Sequence, residues 1–71
     1  MKSNINNRFG QKVVELRKNA GMSQDELAFR CNIHRAYMGT IERGEKSATL
    51  NTVEKIARGL GVRVSDLFDW E

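Results

Sequence analysis

The sequence predicts an all-α fold in a single domain that spans residues 1–71. The 71-residue chain contains no proline, and its apolar residues recur at helical spacing rather than alternating as in strands. Each apolar repeat is also bounded by residues that cap or end helices. A chain this short buries only about 60% of the surface of its unfolded form, so we expect marginal stability.

The first predicted helix covers about residues 8–19. One face is marked by apolar residues at helical spacing: Phe9, Val13 and Leu16. Gly21 follows its last turn and favours an ending there. Residues 1–7 are polar, so we expect them to fray, with an asparagine able to cap the helix.

The residue pattern in the middle of the chain predicts two short helices joined by a tight turn. This motif covers about residues 24–43. The first helix should cover 24–31, with Ser23 placed to cap it. Asn32 then suits a helix-ending residue with positive φ, which asparagine tolerates better than most other side chains. The second helix should cover 35–43.

The outer face of this second helix differs from an ordinary solvated face. It combines one arginine with small residues: Arg35, Ala36, Gly39 and Thr40. A glycine inside a helix costs about 1 kcal/mol relative to alanine, which suggests that a smooth face is needed. A small face with an arginine at its N-terminal end suits a helix pressed into the DNA major groove. The alternative is a plain solvent face with an incidental glycine.

A fourth helix is predicted over about 50–60, capped by Thr49 or, less favourably, by Ser47. A last short helix, 66–70, should be capped by Ser65. The end of the chain carries more apolar surface than so small a domain encloses easily, in Leu67, Phe68 and Trp70.

Charge is unevenly distributed along the chain. Residues 1–20 carry five basic side chains and one acidic one, a net charge of +4, and residues 21–44 carry three of each. Residues 45–63 carry four basic and two acidic side chains, a net charge of +2. The last eight residues carry three acidic side chains, a net charge of −3, within a formal total of +3. A basic body with an acidic end suits a protein that binds phosphate through its basic side and keeps its acidic end away. An ordinary soluble surface is the alternative.

Several classes of function are disfavoured. A single cysteine excludes an internal disulfide, and Cys31 with His34 cannot form a zinc site alone. No apolar run approaches the roughly 20 residues that span a membrane, and there is no signal-peptide core. No nucleophile, base and orienting group are arranged as in an enzyme. We therefore expect a cytoplasmic protein without metal, cofactor, membrane contact or small-molecule ligand, in which Cys31 is a small core residue and His34 begins a helix.

One set of residues is spread over about 8–68: Arg17, Gly21, Ser23, Gln24, Leu27, Ala28, Ile33 and the run Ile41-Glu42-Arg43-Gly44, followed by Leu50, Val53, Ile56, Ala57, Leu60, Gly61, Val62, Leu67 and Phe68. In these residues the sequence resembles phage-repressor-like regulators of the Cro/C1 (XRE) type. The resemblance implies a compact five-helix, lambda-repressor-like DNA-binding domain with a helix-turn-helix. One departure is Asn32, where the family often has glycine.

Within that family, the short length and one pattern most resemble the controller proteins of restriction–modification systems. The pattern is Arg35-x-Tyr37-x-x-x-Ile41-Glu42-Arg43. The resemblance implies a transcriptional regulator that binds a pseudo-palindromic operator as a homodimer. An antitoxin, or another small phage or plasmid repressor whose main partner is a protein, is the alternative. Genomic neighbours would separate the two, since a controller accompanies a methyltransferase and an endonuclease.

The sequence and the resemblance together predict which residues contact DNA, stabilise the fold or form the dimer. Arg35 is the best base reader because arginine pairs bidentately with guanine, with a phosphate contact as its alternative. The full base-reading set is Arg35, Ala36, Gly39 and Thr40. Phosphate contacts are expected from Gln24, Tyr37, Arg43, Lys46 and Asn51, although core packing is nearly as favourable for Tyr37. The family match implies a structural ion pair between Arg17 and Glu42, with two solvated charges as the alternative. A homodimer interface is expected from Val62, Val64, Leu67, Phe68 and Trp70. The alternative is that Leu67 and Phe68 cover the core of the protomer and Trp70 has no packing role.

Overall fold

The computed structural model describes residues 4–70, and within that range it contains helices and no strand. The elements are α1 Asn4–Asn19, α2 Gln24–Cys31, α3 Arg35–Glu42, α4 Leu50–Leu60 and a 3-10 turn Val64–Phe68. The all-helical expectation is confirmed. The expected fifth helix over 66–70 is instead this 3-10 turn, which begins and ends two residues earlier.

Helix α1 begins at Asn4, four residues before the expected start. Residues 1–3 of the stretch expected to fray lie outside the described residues. The additional turn is held by the loop that follows α3. Asn6 Nδ2 donates to Ser47 Oγ at 3.0 Å, and the same hydroxyl donates back to Asn6 Oδ1 at 3.2 Å. These contacts join residues far apart in sequence, so local helix signals did not predict them.

The helix-turn-helix is built by short-range capping contacts. Ser23 Oγ accepts the backbone N–H of Glu26 at 3.1 Å, as expected for the start of α2. Asn32 adopts φ 57° and ends α2 at the expected residue. His34 begins α3, where its Nδ1 accepts the backbone N–H of Ala36 at 3.3 Å. The turn between the helices is therefore specified by side chains within it.

The last two elements are also set by local contacts. Thr49 caps α4, and Gly61, with φ 72°, follows its last residue, so the expected bounds of α4 hold. The 3-10 turn begins differently from the expectation. The N-cap is Arg63, whose backbone N–H donates to Asp66 Oδ2 at 3.0 Å, and Ser65 lies within the turn.

The core lies between α1, α2, α3 and α4, with α1 packed mainly on α3 and α2 mainly on α4. Its largest fully buried side chains are Leu27, Met38, Ile41, Ile56, Leu67 and Val13. The expectation that Leu67 contributes to a dimer interface is therefore wrong. Its side chain fills the core of the protomer, because the 3-10 turn folds back against α1 and α4.

Helix α1 approaches the end of α3 closely at Gly10. A Cβ atom at Gly10 would lie 2.5 Å from the carbonyl oxygen of Ile41 and 2.7 Å from that of Glu42. Real side chains do not tolerate such distances to backbone atoms, so only glycine fits without moving α1. This close approach brings the last turn of α3 against α1.

The buried Cys31 gives a test of the core that depends on pH. Burial raises the pKa of its thiol from 9.0 to about 11. The unfolded chain therefore loses this proton first, and the fold loses stability as pH rises from 9.0 towards 11. From about pH 8 to about pH 10.5, the free energy of unfolding of the wild type should fall about 1–2 kcal/mol more than that of Cys31→Ala. Urea titrations at the two pH values measure this difference, and an equal fall in both proteins would show that the thiol is not protected.

Candidate nucleic-acid interface

The start of α2, the outer side of α3 and the loop after α3 form one polar surface. We call it the recognition surface, and it comprises Gln24, Asp25, Arg35, Ala36, Thr40, Arg43 and Glu45. Its parts are connected by contacts between neighbouring elements. Arg35 Nη1 lies 3.3 Å from Asp25 Oδ2, which joins α3 to α2. A Cβ atom at Gly39 would lie 3.0 Å from Arg43 Nη1 and 3.6 Å from Gln24 Oε1.

A buried ion pair fixes the end of α3 beneath this surface. Arg17 Nε donates to Glu42 Oε2 at 2.7 Å, and Nη2 donates to Glu42 Oε1 at 3.2 Å. The two side chains are only 12% and 4% exposed. This is the pair that the family resemblance implied, and its two parallel bonds give the geometry in which arginine binds a carboxylate most strongly.

Two further hydrogen bonds complete the pair. Arg17 Nη1 donates to the carbonyl oxygen of Met22 at 2.9 Å, and Gln24 Nε2 donates to Glu42 Oε1 at 2.8 Å. The cluster thus joins α1, the start of α2 and the end of α3. No buried side-chain nitrogen or oxygen among the described residues lacks a hydrogen-bond partner. The Gln24 amide, expected to donate to phosphate, commits one N–H to Glu42 and retains a second.

The outer face of α3 is only partly as expected. Arg35 and Ala36 are exposed, whereas Thr40 is half-buried and its hydroxyl donates to the carbonyl oxygen of Tyr37 at 2.7 Å. Gly39 is buried, which contradicts its expected place among the base-reading residues. The side chains of Arg43 and Gln24 close over it, and helical periodicity alone did not predict this cover.

The exposed arginines of the recognition surface are paired with carboxylates. Arg35 contacts Asp25 through a single bond, as described above. Arg43 donates to Glu45 through Nε at 2.9 Å and through Nη2 at 3.2 Å. The adjacent Glu45 raises the pKa of Arg43. Sequence reasoning missed both acidic partners. Asp25 lies on α2, ten residues before Arg35, so only the packing of the two helices brings them together. Arg43 and Glu45 are two residues apart, and residues two apart do not face each other on a helix. They meet here because the chain has already left α3.

The other residues expected to contact phosphate lie near the same elements. Tyr37 is half-buried and packs against the core. Lys46 is exposed in the loop after α3, and Asn51 is exposed in the first turn of α4. Their side chains therefore differ in accessibility, since Lys46 and Asn51 are exposed and Tyr37 is half-buried.

A second surface lies at the C-terminal end of the described chain. Phe68 stacks on Phe9 with ring centroids 5.2 Å apart, and Trp70 lies 5.6 Å from Phe68. Phe68 and Val64 remain 39% and 45% exposed. Val62 instead packs against the core. Trp70 is half-buried. We call the set of Val64, Phe68 and Trp70 the aromatic surface.

Other kinds of site find no support in this part of the chain. Within residues 4–70, no three histidine, cysteine, aspartate or glutamate side chains come together as ligands for a metal ion. None of the helices in that range is long and apolar enough to cross a membrane.

Comparison with known proteins identifies this architecture. The helix-turn-helix family model HTH_3 matches residues 13–67. The chain belongs to the Cro/C1-type helix-turn-helix family. The family resemblance inferred from the sequence is therefore confirmed.

The similar proteins include controller proteins of restriction–modification systems. Control protein C.BamHI of Bacillus amyloliquefaciens is 46% identical over 71 residues, covering 99% of this chain and 88% of the relative. The crystal structure of controller protein C.AhdI from Aeromonas hydrophila matches with a TM-score of 0.90 at 36% identity, covering 93% of this chain and 100% of that one. C.Esp1396I bound to a 19 base pair DNA duplex matches with a TM-score of 0.87 at 30% identity, covering 94% of this chain and 89% of that one.

The buried ion pair predicts a large loss of stability when it is broken. Arg17→Ala or Glu42→Ala should each lower the free energy of unfolding by about 3–5 kcal/mol, because the remaining charge is buried without its partner. The exposed pair of Arg58 and Glu54, 3.7 Å apart on α4, provides the control. Its alanine variants should each change stability by about 0.5 kcal/mol or less.

Urea unfolding followed by circular dichroism measures both sets of variants. The double variant Arg17→Ala, Glu42→Ala completes a cycle that isolates the pairwise coupling. A negligible coupling energy would show that the pair contributes little to the fold and would contradict this interpretation.

Proposed function

We propose that this chain is a sequence-specific DNA-binding regulator of transcription that controls a restriction–modification system. The observation that carries the proposal is the recognition surface, an exposed face of α3 with Arg35 at its N-terminal end, held by the buried pair of Arg17 and Glu42. The relatives support it, since they include named control proteins and one controller solved on DNA.

In this proposal α3 enters the major groove. Arg35 leads the helix, and its planar guanidinium donates two hydrogen bonds to O6 and N7 of a guanine. Ala36 is exposed beside it and offers a methyl group to a thymine. Thr40 offers less to a base, since its hydroxyl already donates a hydrogen bond to the backbone. Base reading therefore rests mainly on the first turn of α3.

Phosphate contacts hold α3 in place. The proposed residues are Gln24, Tyr37, Arg43, Lys46 and Asn51. Such contacts fix register and orientation without reading sequence. The second N–H of the Gln24 amide lies at the first turn of α2, where the backbone N–H groups also favour an anion. Gln24 is thus tied to the same ion pair that holds α3.

We further propose that the regulator acts as a homodimer in the cytoplasm. One reading helix contacts only a few base pairs, so a pair of subunits is needed to bind two half-sites of a pseudo-palindromic operator about one helical turn apart. The aromatic surface supplies apolar groups of the kind that interfaces favour, since Val64 and Phe68 are 45% and 39% exposed, and the half-buried Val62 precedes them in the chain. The dimerisation equilibrium then makes DNA binding depend on protein concentration.

The base-reading role is tested with Arg35→Ala. The variant should lose about 1–3 kcal/mol of operator affinity and accept any base at one position per half-site. Arg58→Ala is the matched control, because it removes the same charge from an exposed site on α4. Fluorescence anisotropy with operator and random duplexes gives the ratio of affinities. An equal loss on both duplexes would make Arg35 a phosphate contact instead.

The dimer is tested by sedimentation without DNA. Val64→Glu places a charge on the aromatic surface and should convert a micromolar dimer into a monomer. Phe29→Glu is the control, since Phe29 is an 86% exposed apolar residue on α2. It should leave the dimer intact. A wild type that remains monomeric well above micromolar concentration, yet binds an inverted repeat without cooperativity, would contradict the proposal.

A further inference from the structure

The loop after α3 returns a carboxylate to the recognition surface. Gly44 adopts φ 73° directly after the C-cap Arg43, which turns the chain. The backbone N–H of Glu45 then donates to the carbonyl oxygen of Thr40 at 2.9 Å. This bond anchors Glu45 against the last turn of α3, close to the side chain of Arg43.

The resulting ion pair is both well aligned and accessible. Two parallel hydrogen bonds join Arg43 and Glu45, at 2.9 and 3.2 Å. Their side chains remain 58% and 48% exposed, so solvent and solutes reach both groups. Arg43 also extends over Gly39 on α3. The carboxylate therefore binds the cation at the place where the proposed function puts a DNA phosphate.

We infer that Glu45 competes with DNA phosphate for Arg43 and thereby limits the affinity of this chain for DNA of any sequence. A guanidinium held by two bonds to a carboxylate must release it before it binds a phosphate through the same fork of donors. The released carboxylate then lies near the phosphate backbone, and like charges repel. The inference rests on the proposed function, because it assigns a role within the same surface.

This role differs from that of Arg35. Phosphate contacts supply sequence-independent affinity, so a competitor for one of them acts equally on operator and random DNA. Glu45 therefore sets the overall affinity, whereas Arg35 sets the ratio between sequences. A protein that must release wrong sites quickly benefits from such a limit.

The test compares Glu45→Gln with Glu54→Gln. Both substitutions remove one negative charge from an exposed carboxylate paired with an arginine, but Glu54 lies on α4 and pairs with Arg58. Glu45→Gln should tighten binding to operator and random duplexes alike, by about two- to fivefold per subunit, the range expected for an exposed ion pair. Glu54→Gln should give less than half of that gain through net charge alone. Circular dichroism establishes that both variants retain the wild-type helix content.

A double-mutant cycle assigns the effect to the pair. In an Arg43→Gln background, the gain in DNA affinity from Glu45→Gln should fall to the gain from the Glu54→Gln control, because no guanidinium is left at residue 43 for the carboxylate to bind. The inference is overturned if Glu45→Gln still tightens DNA binding beyond the control when Arg43 is absent. It is also overturned if Glu45→Gln and Glu54→Gln give equal gains in the wild-type background. The proposed function stands in either case. A wild type that binds neither duplex overturns both.

Discussion

The position of α3 depends on the buried ion pair between Arg17 and Glu42. Removing two charges from water costs several kcal/mol for each ion, and only good geometry with further hydrogen bonds offsets that cost. Both conditions hold here, since Glu42 also accepts from Gln24 and Arg17 also donates to the Met22 carbonyl oxygen. Gly10 allows α1 to approach closely enough for the pair to form. The pair therefore ties the orientation of α3 to the body of the domain.

The ion pairs of the recognition surface are exposed, in contrast to the buried pair beneath it. Its exposed arginines pair with Asp25 and Glu45 at distances similar to those of the buried pair, but solvent weakens exposed pairs to about 1 kcal/mol or less. In the proposed complex, pairs this weak give way to DNA phosphate. The same side-chain chemistry thus gives a permanent contact inside the domain and a replaceable one on its surface, and burial decides which.

Local features of the fold were predictable from the sequence, whereas long-range contacts were not, apart from the pair of Arg17 and Glu42 that the family resemblance implied. The caps Ser23, Asn32 and Thr49 set the bounds of α2 and α4 through neighbours only a few residues away. The early start of α1 depends on a bond across 41 residues, between Asn6 and Ser47, that no local pattern reveals. In the candidate site, periodicity placed Arg35 outward but missed the cover over Gly39, since part of that cover is Gln24 on α2 and the Arg43 side chain is held by Glu45 from the loop after α3.

In the proposed complex, a rigid frame presents one reading helix per subunit to DNA, in symmetric pairs. The purified chain can be tested by selecting the duplexes that it binds from a random DNA pool. We expect enrichment of an inverted repeat whose half-sites lie about one helical turn apart and carry a guanine at equivalent positions. Recovery of unrelated sequences, or of a single half-site without its inverted copy, would contradict it.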